Sequence, residues 1–170
     1  MPSLRRRKLL PQAQLRPRKT PILLTALVSL ALASPGLAAG TFSIERSLLQ
    51  EINRTRAAHN LRPLVLDQTL QRAAHSHSAD MLQRDYFDHG PMAQRLLRFG
   101  ARGPRLGENL AWGVGTLAAT RMIVRKWLAS PPHRANLLRP GFRRVGVGTA
   151  VGMFMGYSKA KLVTADFAGT

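Results

Sequence analysis

Not one of the 170 residues is cysteine, so nothing covalent beyond the backbone can hold this fold together. That absence removes the disulfide scaffolds, the zinc–cysteine clusters and every thiol nucleophile. The chain must bury an ordinary hydrophobic core instead. With 45% hydrophobic residues and a mean hydropathy of -0.12 it has material for one domain plus an appended segment, not for two full cores.

The appended segment is N-terminal. Arg5, Arg6, Arg7, Lys8, Arg16, Arg18 and Lys19 precede an apolar run from Pro21 to Ala33, and Pro35, Gly36, Ala38 and Ala39 close it. A basic stretch, an apolar stretch and a small-residue exit form the pattern of a secretory signal peptide. The apolar run is shorter than the roughly 20 residues a bilayer crossing needs. A signal peptide over 1–39 and a domain over 40–170 are expected, with an uncleaved N-terminal anchor, favoured by the long basic stretch, as the competing reading. The protein would then be secreted or periplasmic, meeting the membrane only transiently through its signal peptide.

Lys and Arg number 26 against 8 Asp and Glu, a formal net charge of +18. Such an excess invites a nucleic-acid reading. Setting the leader aside leaves 19 basic and 8 acidic side chains, net +11, spread along the domain. An exported protein does not meet nucleic acid. Its positive field suits an anionic envelope polymer or lipid head groups as a partner; the competing reading is solubility together with an arginine-rich coding bias.

The domain reads as helices first and strands last. Ser43 is placed to cap a helix to about His59, with Asn60 as a left-handed stop and Leu61–Leu66 extended. Asp67 should cap a second helix to about Arg84, buried along Leu70, Ala73, Ala74, Met81 and Leu82, leaving His59, His75 and His77 as exposed helix residues. Thr116 should cap a third, with Leu117, Ile123, Val124, Trp127 and Leu128 inward, ending at Pro131 and Pro132. Arg144–Val151 and Leu162–Phe167 read as strands, Asn109–Trp112 as a short one, and 152–161 as a further strand or hairpin arm. That order predicts an α+β sandwich, not a doubly wound parallel sheet.

Three residues can carry chemistry. His89 lies just beyond the second helix, Glu108 in Gly107-Glu-Asn-Leu-Ala-Trp-Gly113, and His133 in Ser130-Pro-Pro-His-Arg-Ala-Asn-Leu-Leu138. Ser130 is placed as a helix cap and His133 in the first turn, where the positive helix end disfavours imidazolium. Two neutral histidines and a carboxylate make a competent set for zinc or another divalent cation. Their gaps of 19 and 25 residues match no local metal motif. The competing expectation pairs Glu108 with an arginine and gives each histidine one hydrogen bond.

These segments, with Tyr86-Phe-Asp-His89, Arg95, Trp127-Leu-Ala-Ser130 and Gly146-Val-Gly148, resemble the CAP superfamily: the cysteine-rich secretory, antigen 5 and pathogenesis-related proteins. The resemblance is to its cysteine-free bacterial branch and covers about 45–168. It implies an α-β-α sandwich, an antiparallel sheet flanked by helices, with a groove lined in its fullest version by His, Glu, Glu and His. His89, Glu108 and His133 match three of those places. The second glutamate, three residues after the tryptophan, is here Ser130. A His89–Glu108–His133 metal site survives that loss, while a mechanism that needs a carboxylate pair does not.

The function expected is a non-catalytic binding module whose groove of His89, Glu108, Ser130 and His133 takes a divalent cation, zinc for instance, and an envelope or lipid ligand. The alternative is a metal-dependent hydrolase acting on an envelope polymer or peptide. The missing second titratable partner weighs against it.

Overall fold

A computed structural model describes residues 35–169, with side chains from Ile44 onward. Five α-helices and four strands follow one another as α1 (Pro35–Ala57), β1 (Val65–Leu66), α2 (Gln68–Gln83), α3 (Met92–Arg98), β2 (Leu106–Gly113), α4 (Thr120–Ala129), α5 (Pro131–Leu137), β3 (Phe142–Phe154) and β4 (Tyr157–Gly169). Of the leader expected over 1–39, only 35–39 are described, and they are helical; the rest lies outside the described residues. Among the described residues no helix is long and apolar enough to cross a membrane.

The sheet runs in the order β1-β3-β4-β2. β3, β4 and β2 pair antiparallel, as expected, and β1 adds a two-residue parallel edge through Val65 opposite Arg144 and Leu66 opposite Val145. β2 therefore forms the other edge. Helices cover both faces. Leu48 and Ile52 of α1 and Ile123, Val124 and Trp127 of α4 pack on Val145, Val147 and Phe167. Burying a side chain the size of Trp127 contributes on the order of 2–3 kcal/mol, and its indole N–H donates to the Leu110 carbonyl at 2.8 Å.

α2 lies against the opposite face, and the Gly146-Val-Gly148 pair shows why. Successive glycines on one strand face leave a trough in the sheet. A Cβ at Gly146 would stand 2.0 Å from the Leu70 carbonyl carbon, and one at Gly148 would stand 2.2 Å from that of Ala74. The α2 backbone thus touches the sheet itself. Asp67 caps α2 as expected, accepting from the Thr69 and Leu70 amides at 2.8 and 3.1 Å.

Other caps differ from expectation. α1 begins at Pro35, so Ser43 lies inside the helix. Thr116 falls in a 3-10 turn over Gly115–Ala118, and α4 starts at Thr120 after an uncapped Ala119. That turn swings Leu117 outward, where it is exposed, not core. Asn60 does stop α1 at a positive φ of 57°.

The C-terminal end of α1 is held by a buried cation that the sequence reading did not identify. Arg56 donates to the carbonyls of Arg62, Leu137, Arg139 and Phe142 at 2.9, 2.7, 3.3 and 3.3 Å. One guanidinium, with its five donors in a fixed fork, thus ties α1 to the turn between α5 and β3.

Candidate functional site

The candidate site sits over the edge strand β2, where α3 and α5 approach it. Glu108 is near the start of β2, and its cross-strand partner is Asp166 of β4. Its side chain therefore points toward the α2 face and is only 4% exposed. His89 hangs from the loop between α2 and α3, and its Nδ1–H donates to Glu108 Oε1 at 2.7 Å. Arg95 of α3 donates to Glu108 Oε2 from Nη2 and to the His89 carbonyl from Nη1 at 3.0 Å. The arginine therefore fixes both members of the His–Glu pair.

His133 approaches from the other side. Pro131 starts α5 without needing a hydrogen-bond acceptor for its nitrogen, which sets the first turn. Asn109 donates to the His133 carbonyl at 3.0 Å, and Asn136 donates to the Glu108 carbonyl and to Asn109 Oδ1, both at 3.0 Å. These amides tie α5 to β2. The rings of His89 and His133 then stand 6.5 Å apart, centroid to centroid. Both line one open groove of about 350 Å³ with Met92, Leu106, Gly107, Glu108, Pro132 and Asn136.

The fold thus brings His89, Glu108 and His133 together but leaves Ser130 out. Ser130 is half-buried at the α4–α5 junction, outside the groove lining, and its side chain makes no cap hydrogen bond. Among the described residues no group of three or more His, Asp or Glu side chains gathers as a metal cage. Burial first, and then the neighbouring charge of His89, hold the His133 imidazole below the ordinary histidine range. The direction is the one expected from the helix end; the causes are different ones.

Two further titratable side chains belong to the site. His77 was expected on an exposed helix face, yet it is buried, donating from Nε2 to the Asp88 carbonyl at 3.0 Å and lying 3.9 Å from Glu108 Oε2. Residue 77 falls four after Ala73 and seven after Leu70, so helical spacing places it on α2's buried stripe. Its pKa is lowered, chiefly by burial, against the opposing pull of Glu108. Asp166 is fully buried and neither carboxyl oxygen has a hydrogen-bond partner. Burial and then the charge of Glu108 raise its pKa well above the carboxylate range. The available signal was an acid alone in the apolar run Leu162–Phe167. His75, by contrast, is half-exposed and reaches Glu45 at 3.0 Å, which raises its pKa, while His59 is exposed as expected.

A family model described as the cysteine-rich secretory protein family, CAP, matches residues 49–159. The uncharacterized protein YkwD of Bacillus subtilis is 35% identical over 109 residues, and the uncharacterized membrane protein YlbC of the same organism is 33% identical over 109. Each match covers 61% of this chain, but only 41% and 31% of those relatives' own lengths. Among solved structures, an extracellular SCP-domain protein of Bacillus anthracis superposes with a TM-score of 0.68 at 29% identity, covering 81% of this chain and 44% of that one. An outer surface protein of Borrelia burgdorferi shares the fold at a TM-score of 0.65 and 20% identity, covering 75% and 94%. The family model spans well over half of the chain, and the shared fold agrees with it: this chain belongs to the CAP, or cysteine-rich secretory protein, family.

Proposed function

We propose that the domain is an exported binding module whose edge groove holds a divalent cation between His89 and His133, with Glu108 orienting His89 instead of ligating the ion. The 2.7 Å contact from His89 Nδ1 to Glu108 carries this reading. A histidine that gives one ring N–H to a carboxylate presents its other nitrogen, with its tautomer fixed, to a metal. His89 Nε2 is that nitrogen, and His133 is the second donor, its neutral form favoured by burial.

The donor set fits with a small adjustment. Zinc–nitrogen bonds of about 2.1 Å would place two ring centroids about 5–6 Å apart around a tetrahedral ion, against the 6.5 Å observed. Water would fill the remaining positions. Glu108 as a direct ligand would have to release Arg95 and His89, leaving a guanidinium half-stripped of its partner. The hydrolase reading is weaker for the same reason. Its general base would have to be Glu108, already engaged by two donors, or Asp166, which is fully buried and outside the groove lining. Export is supported by the leader pattern and by relatives described as extracellular or outer-surface proteins. The apolar walls Met92, Leu106 and Pro132 and the domain's net charge of +11 favour an anionic envelope ligand.

Calorimetric zinc titration tests the reading. His89→Ala and His133→Ala should each abolish most of the heat, and Glu108→Gln should weaken binding about 10–100-fold through lost orientation. His75→Ala should leave it unchanged. Binding should persist somewhat below the ordinary histidine pKa of about 6.5, because protons compete less well for His133. Equal heats for the wild type and His133→Ala would end the cation proposal.

A further inference from the structure

The far end of the sheet carries a surface that the groove does not use. Gly113 ends β2 five residues beyond Glu108, about 17 Å away along the strand. There the β3–β4 hairpin closes on Met155 and Gly156, both at positive φ, 46° and 80°. Two such residues make the turn that matches strand twist, and that turn selects Asn, Asp or Gly at its first position. An unbranched apolar side chain stands here instead. It is not sheltered in return: Met155 is 44% exposed, Met153 64% and Tyr157 53%, with Val151 and Leu117 exposed beside them.

The tip is held rigidly. The Met155 N–H donates to Asp85 at 2.6 Å, and Trp112 stacks edge-on against Phe154 and tilted against Tyr157, at 5.3 and 5.8 Å. Trp112 and Tyr157 also line a shallow cleft of about 350 Å³ with Val114, Leu117 and Lys126. Lysine, though not arginine, follows the same boundary. Beyond residue 40 the chain has three lysines, Lys126, Lys159 and Lys161, and all of them lie at this end. Lys159 sits at a φ of 55° where the β3–β4 register slips, and Lys161 donates to the Ala118 carbonyl at 3.0 Å. Asp85, held by the Met155 amide, is the acid at the tip.

We infer that the 151–161 hairpin end is a docking surface for an anionic lipid bilayer. Methionines would enter the acyl boundary, and Trp112 and Tyr157 would sit at head-group level. The lysines would lie along the apolar surface with their ammonium groups toward phosphate. A protein partner would call for a patterned set of hydrogen-bonding and charged groups; this end offers exposed apolar tips beside the exposed Lys126 and Lys159, which match a fluid anionic surface.

The chain's lack of cysteine makes a clean test possible. An environment-sensitive fluorophore on Met153→Cys should shift to the blue with vesicles of phosphatidylglycerol and phosphatidylcholine in equal parts. It should not shift with phosphatidylcholine alone, and the same label on Gln94→Cys, at the groove end, should stay unchanged. Lys159→Glu should weaken the shift several-fold and lower its salt sensitivity, since one cation–phosphate attraction is gone. Met155→Asn is the sharper variant, since asparagine suits the turn: it should fold at least as stably, yet bind vesicles several-fold more weakly. A label at 153 that stays in water, or vesicle binding that Met155→Asn leaves intact, overturns the inference. So does a blue shift that grows with protein concentration without lipid, because it would assign the surface to a second copy of the chain.

Discussion

Glu108 and Asp166 face each other across β2 and β4 as two buried carboxyl groups, with the Arg95 guanidinium on Glu108 alone. Two adjacent carboxylates cannot both ionise cheaply in such a place, and burial together with the charge of Glu108 raises the pKa of Asp166 well above the carboxylate range. The raised pKa fixes the sign of a pH effect. An acid whose folded pKa exceeds its unfolded value of about 3.9 costs nothing below that pH and destabilises the fold increasingly above it, until the folded pKa is reached.

Asp166→Asn removes this cost while keeping the shape. Urea midpoints of wild type and variant should nearly coincide near pH 4, with the variant gaining steadily toward about pH 7. Parallel curves, or a wild type that gains as the pH rises, would mean that Asp166 is ionised in the folded protein.

The contact between α2 and the sheet is equally open to test. Gly148→Ala would place a methyl group 2.2 Å from the Ala74 backbone, where only movement of the helix can relieve it. The expected loss is about 3 kcal/mol or more, at the upper end of overpacking effects, measured by denaturant unfolding. A loss under about 1 kcal/mol would show that α2 rides on side chains and not on the glycine trough.

Arg56→Leu should fill similar space yet strip the Arg62 and Leu137 carbonyls of this donor, while the Arg139 carbonyl keeps the Phe142 N–H and the Phe142 carbonyl keeps Arg143. Unsatisfied buried acceptors cost about 1–3 kcal/mol each before relaxation, so a total loss of about 3 kcal/mol or more is expected. Arg56→Lys should recover only part, because an ammonium lacks the planar fork. Full recovery in the lysine variant would make the charge, not the geometry, the essential feature.

Much of this architecture is legible in the sequence, and the exceptions have definite causes. Asp67 and Asn60 act locally, through a cap and a left-handed stop, so a few residues suffice to read them. The α2 stripe is legible as well, and His77 belongs to it by its spacing from Leu70 and Ala73, although its polar ring argues for the exposed face. Arg56 was not legible, since its acceptors come from a turn more than eighty positions away. Ser43 lies within α1 and Thr116 within a 3-10 turn, while Ser130 holds the N-cap position of α5 as expected but makes no side-chain cap bond. At the groove, the spacing of His89, Glu108 and His133 says nothing and only the family resemblance implies that they meet; the competing expectation of an arginine partner for Glu108 is also met, by Arg95. The role of the carboxylate depends on which oxygen meets which donor, and only tertiary structure decides that.

The nitrogen-15 shifts of the His89 ring, followed by NMR as zinc is added, test the central claim most directly. The account predicts that Nδ1 carries a proton, held by Glu108, both before and after zinc. His89 Nε2 and one nitrogen of His133 should move together with the metal. A zinc-dependent change at Nδ1, which would require Glu108 to let go, or a His89 ring indifferent to zinc while other histidines respond, would contradict it.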